Sequence, residues 1–134
     1  MTQRKTLVLV LALMMPSSAV AQQIPPEVAN STPEQRAKVQ TLVMKEKLGL
    51  TQEQLPKVEA INLQAAQKME PVLKGNEGPL IKMRTTKAVE QEKEAALQNV
   101  LTPPQFQQLQ AAREEIKQKV EQKLMEQRAG GGGP

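Results

Sequence analysis

The stretch Leu50-Thr51-Gln52-Glu53-Gln54-Leu55 returns fifty-one residues later as Leu101-Thr102-Pro103-Pro104-Gln105-Phe106. No other feature of the chain constrains its fold as strongly. With Thr as N-cap, Gln falls at the third helical position. The Thr hydroxyl then accepts the Gln backbone N–H while the Gln side chain reaches back to the Thr N–H, forming a capping box. The apolar pairs Leu50/Leu55 and Leu101/Phe106 flank the box as the two halves of a hydrophobic staple, which sets the angle of entry into the helix. Pro103 pushes Thr102 out of the α region, as an N-cap requires. Gly49, just before the first copy, stops the preceding helix. Each copy therefore reads as a helix corner, and these eight residues are assigned a structural role. A third variant, Thr32-Pro33-Glu34-Gln35, has the box without the staple.

Between these corners the apolar spacing is helical, with no alternating β-branched run, so the domain is expected to be all-α with about four helices. The first starts at Thr32-Pro33, buries Val39, Leu42 and Val43, and stops at Gly49. The second runs from Gln52 toward Lys74 with Val58, Ile61, Ala65, Met69 and Val72 on one face. Pro56 lies in its first turn, and Pro71 is expected to bend or end it. After the Lys74–Pro79 loop, a third helix runs from about Leu80 to Asn99. Its expected stripe is thin: Ile81, Ala88, Ala95, Ala96 and Val100, helped by Leu97. The fourth, Pro103 to about Arg128, carries Phe106, Leu109, Ala112, Ile116, Val120 and Leu124.

Outside the helices, residues 1–21 read as a cleavable secretory signal peptide: Arg4 and Lys5, an apolar run too short to span a bilayer, then small residues ending at Ala21. Periplasmic export with no stable membrane anchor is the expectation. Residues 22–31, with Pro25-Pro26, read as a flexible leader, 32–128 as the helical domain, and 129–134 as a flexible Gly-rich tail. Removing Arg4 and Lys5 leaves 16 basic and 14 acidic residues, so the mature chain is nearly balanced. Basic and acidic residues are interspersed and the only aromatic is Phe106, so nucleic acid is not an expected partner.

The chain has no Cys, no His and no Asp. That removes disulfides and the usual metal and nucleophile chemistry, so no catalytic residue, metal or cofactor is expected. Glu90 and Glu94, one turn apart, read as a solvated face among Lys87, Gln91 and Lys93. The Gly75–Gly78 stretch reads as a turn. Large apolar side chains make up only about a quarter of the chain from Gln22, so either the helices form a thin layer completed by a second copy or much of the chain stays loose.

The one region with binding character mixes Lys68, Lys74, Lys82, Arg84 and Lys87 with flexible apolar residues. A client-contact face of Met69, Leu73, Leu80, Met83, Arg84 and Lys87 is one reading, since such side chains suit partners of varied shape. The other places Met69 and Leu73 in the hairpin core and leaves the basic residues simply solvated.

Two Leu-Thr-x-x-Gln patterns about fifty residues apart in a short exported helical chain resemble the Spy/CpxP family of periplasmic proteins, over roughly Lys47 to Leu124. The resemblance implies bent helical hairpins that dimerise antiparallel into a thin cradle. It also implies an ATP-independent chaperone holding unfolded envelope proteins, or a regulatory accessory of an envelope sensor kinase. Some relatives bind metal, and this sequence departs from them in having no His or Cys ligands.

Overall fold

The computed structural model describes residues 24–130, and all regular structure among them is helical. The signal peptide expected at residues 1–21 and the end of the Gly-rich tail, 131–134, lie outside the described residues. The expected leader contains a one-turn helix, α1 (Pro26–Ala29). The first long helix, α2 (Pro33–Leu48), starts at a complete capping box on Thr32 and Gln35, with Pro33 at the first helical position. Gly49 ends it at φ 66°, the left-handed conformation in which a side chain would be strained.

The second long helix, α3 (Gln54–Lys74), begins two residues later than the spacing suggests. Leu55 N–H does bond Thr51 C=O at 3.1 Å. Pro56 has no N–H to give Gln52, so the regular ladder resumes only at Gln54. Pro71 leaves α3 intact as far as Lys74. Its carbonyl accepts the Gly75 N–H at 2.8 Å and closes the last turn.

From Gly78 the chain turns back into α4 (Pro79–Val100). The expected fourth helix is two: α5 (Pro103–Ala111) and α6 (Arg113–Gly130). Ala112, at φ −99° and ψ 10°, breaks the axis while its carbonyl still accepts Ile116 N–H. Six helices among the described residues thus replace the four expected, and α6 runs two residues into the segment read as tail.

The long helices lie antiparallel to their neighbours. α2 is central: α3 packs along one flank and α6 along the other, α4 covers the far side of α3, and α5 crosses beside the end of α2. Val39, Val43, Met44, Leu48, Leu50, Val58, Leu97, Leu101, Ile116 and Leu124 form one core cluster, with Leu55, Val100, Phe106 and Leu109 packed against it. Each fully buried aliphatic side chain contributes about 1.5–3 kcal/mol. The core runs along α2, from Val28 and Leu124 near its start to Leu48, Leu50 and Leu101 at its end.

Two expected stripes need correction. Leu42 is 51% exposed, because α3 and α6 cover α2 on either side of it. On α4, Ile81, Ala88 and Ala95 face solvent. The helix turns Val89 inward instead, beside the expected Leu97, with Lys82, Thr85, Thr86, Lys93 and the expected Ala96 half-buried along the same face.

Candidate functional site

The two repeated motifs meet. At the first, Thr51 N–H donates to Gln54 Oε1 at 3.0 Å and Gln54 N–H donates to Thr51 Oγ1 at 3.2 Å. At the second, Thr102 N–H donates to Gln105 Oε1 at 3.0 Å and Gln105 N–H to Thr102 Oγ1 at 3.4 Å. Capping uses the carbonyl end of each glutamine and leaves its amide N–H groups free. Those groups cross between motifs: Gln54 Nε2 donates to Gln105 Oε1 at 2.8 Å, and Gln105 Nε2 donates to Gln54 Oε1 at 3.1 Å.

The remaining contacts follow the same pseudo-symmetry. Gln54 Nε2 also bonds Val100 C=O at 3.2 Å, and Gln105 Nε2 bonds Leu48 C=O at 3.2 Å and Gly49 C=O at 3.4 Å. Carbonyls at the ends of α4 and α2, which lack partners in their own helices, thus receive donors from the start of the other corner. Leu50 and Leu101 are buried beneath this clasp, while Leu55 and Phe106 are half-buried and pack on the same core. A carboxylate at either position could cap, but it could not donate across to the other corner.

A second polar cluster was not anticipated. Arg36 is buried, and its guanidinium donates to the carbonyls of Ser31, Val28 and Ala66 and pairs with Glu70. This ties the stretch before α2 to both α2 and α3, and the donors of a costly buried cation are satisfied. Glu70 also pairs with Lys74 at 2.8 Å. The bonds from Lys74 and Arg36 hold the Glu70 carboxyl below its usual value, against a smaller upward push from burial.

The candidate client face lies at the far end of the molecule, where α3 and α4 form a hairpin tip. Leu80, Ile81 and Met83 are 54%, 52% and 62% exposed, and Arg84 and Lys87 are exposed beside them. At about 100° per residue, Leu80, Met83, Arg84 and Lys87 share the outward half of α4, opposite Val89. Met69 and Leu73 are half-buried within the hairpin. The structure thus places Leu80, Met83, Arg84 and Lys87 on one exposed surface and Met69 and Leu73 partly behind it. Ile81 belongs with the exposed group.

Two clefts lie away from the tip. One, of about 40 Å³, is a groove between α3 and α4 lined by Ile61, Ala65, Lys68, Val89, Glu92 and Lys93. Burial holds the Lys93 amine below the usual lysine range, while Glu90 and Glu94 push it back up and Arg113 adds to the lowering. The other, of about 230 Å³, is an open polar space among Glu27, Asn30, Gln35, Gln127 and Arg128. Among the described residues no helix is long and apolar enough to cross a membrane.

These features define an all-α domain of antiparallel helices locked at one end by paired capping motifs and displaying a basic, apolar hairpin tip at the other. The model of a family described as "Domain of unknown function (DUF4890)" matches residues 21–129, and the chain belongs to that family. No curated protein and no solved structure matches the chain. The Spy/CpxP likeness accordingly rests on the paired motif.

Proposed function

We propose that the protein is a periplasmic, ATP-independent, chaperone-like holder of unfolded or misfolded envelope proteins, of the Spy/CpxP kind, working as a homodimer and acting by binding, not catalysis. The observation that carries this reading is the exposed cluster of Leu80, Ile81 and Met83 beside Arg84 and Lys87 on a two-helix hairpin. Flexible apolar side chains rimmed by charge can accommodate many sequences, because Met and Leu repack at little cost and the charges attract without fixing geometry. The paired motifs support it in another way: they hold one end of the helices rigidly, so binding at the tip need not disturb the core.

The test is light scattering from two or three unrelated aggregating proteins, without ATP, in the presence of the chain from Gln22. Suppression of all of them supports the reading, and Arg84→Glu with Lys87→Glu should weaken it while leaving helicity unchanged. Suppression of none removes general chaperone activity and leaves a dedicated partner, such as the envelope domain of a sensor kinase, to be sought by crosslinking.

A further inference from the structure

We propose that the α3–α4 hairpin tip docks on an anionic lipid surface, laying the exposed start of α4 among the headgroups. Leu80, Ile81 and Met83, all more than half exposed, lie in the first two turns of α4, just behind the Lys74–Gly78 loop that ends the hairpin. Basic residues are interleaved with them and continue behind: Arg84 and Lys87 on the outward half, with Lys82, between Ile81 and Met83, half-buried. Leu80 to Lys87 spans about 10 Å of helix axis. An interfacial element buries its apolar part about 5–10 Å into the boundary between headgroups and acyl chains. Laid with its outward half on the surface, the start of α4 would bring Leu80 and Met83 into that boundary while the longer Arg84 and Lys87 side chains reach the phosphates.

Charge selects the partner. Between Pro71 and Val89 the chain carries Lys74, Lys82, Arg84 and Lys87 against the single acid Glu77. Lys74 is engaged by Glu70, whereas Lys82, Arg84 and Lys87 make no ion pair among the described residues. A second copy meeting this tip with its own would oppose like charges, so a symmetric contact between tips is disfavoured. Basic side chains without ion pairs beside exposed apolar ones instead suit a flat, fluid, anionic surface. Basic residues near such a surface are attracted by its negative potential, and apolar burial adds to that attraction.

This goes beyond client holding and is tested without a client. The chain from Gln22, which contains every described element, is mixed with vesicles of phosphatidylcholine alone or with one third phosphatidylglycerol, and bound protein is measured by flotation. Binding to the anionic vesicles should fall about tenfold or more with Leu80→Ser plus Met83→Ser, and likewise with Arg84→Glu plus Lys87→Glu. Leu42→Ser, an exposed apolar site on α2, should change nothing, and circular dichroism should show every variant as helical as the parent. Absence of vesicle binding overturns the proposal. So does equal binding to neutral vesicles, or binding undiminished by either double variant. Capture of a soluble acidic, apolar peptide without vesicle binding would make the tip a peptide site and sink it equally. Chaperone activity in solution can hold or fail independently of these outcomes.

Discussion

Gln54 and Gln105, fifty-one residues apart, face each other through two reciprocal amide hydrogen bonds of 2.8 and 3.1 Å while each caps its own helix. The repeated motif is thus one device in two halves. Each glutamine satisfies a Thr N–H, a carbonyl of the other corner and its counterpart, and removing either leaves polar groups at a partly buried junction without partners.

Gln54→Ala and Gln105→Ala should each cost about 1–2 kcal/mol, combining a lost cap with the lost cross-bonds. In a double-mutant cycle the pair should show coupling of about 0.5–1 kcal/mol. Glutamate separates the two roles: Gln54→Glu keeps the acceptor that caps Thr51 and loses the donor. The Gln54→Glu plus Gln105→Glu variant also opposes two carboxylates, and should be less stable than the sum of its singles near neutral pH. Additive urea-denaturation energies in both cycles would show that the amide pair contributes nothing.

Asn62 yields the opposite expectation. It is fully buried, and its Nδ2 donates to Thr41 Oγ1 at 3.0 Å, with Met44 Sδ at 3.5 Å, while its Oδ1 has no partner. The Thr41 hydroxyl gives its proton to Ala37 C=O at 2.7 Å, so losing Asn62 orphans no donor. Asn62→Leu replaces an unsatisfied buried acceptor by an apolar side chain of similar size. It should be neutral or stabilising by about 1 kcal/mol, read as a higher urea midpoint at unchanged m-value. Marked destabilisation would mean that the Thr41 bond matters more than the orphaned oxygen.

How far the fold could be read from the chain depended on the range of each force. Capping and turn chemistry are local, so Thr32, Gly49, Thr51 and Thr102 mark their corners in the sequence. The inward face of α4 is set by α3, and Val89 and Leu97 are too few to reveal the phase against exposed Ile81, Ala88 and Ala95. The break at Ala112 carries no glycine or proline signal. Arg36 reads as an ordinary surface residue of a helix start, because its partners Ala66 and Glu70 come from the next helix. For the tip, composition pointed to the basic, apolar segment, but only tertiary packing separates exposed Leu80 and Met83 from half-buried Met69 and Leu73.

The ion pairs of Glu70 with Arg36 and Lys74 predict acid sensitivity. Glu70 sits below its usual 4.5 in the folded state. A carboxylate depressed on folding contributes stability that is present above its unfolded value and lost as pH falls through the folded one. Unfolding free energy should therefore begin to fall near about pH 4.5 and continue falling below it. Glu70→Gln should be less stable than the parent at pH 7, and the gap should close in acid. A gap that stays constant down to pH 3 would place the source of acid sensitivity elsewhere.

Lys93 predicts a gain. Its side chain packs into the groove beside Ile61, Ala65, Val89 and Ala96, and burial lowers its amine from the ordinary 10.5. For a base whose folded value is depressed, the unfolded chain binds the proton more tightly, so stability rises with pH between the folded value and about 10.5. At pH 7 the charge is a cost, offset only in part by Glu90 and Glu94 on the same helix. Lys93→Met keeps the long flexible stem, removes the desolvated charge, and should stabilise the protein by about 1 kcal/mol at pH 7. The advantage should shrink as pH approaches 10, which distinguishes relief of a buried charge from better packing, since packing would be independent of pH. A loss of stability at pH 7 would mean that the amine reaches solvent at the groove mouth and that its stem alone is buried.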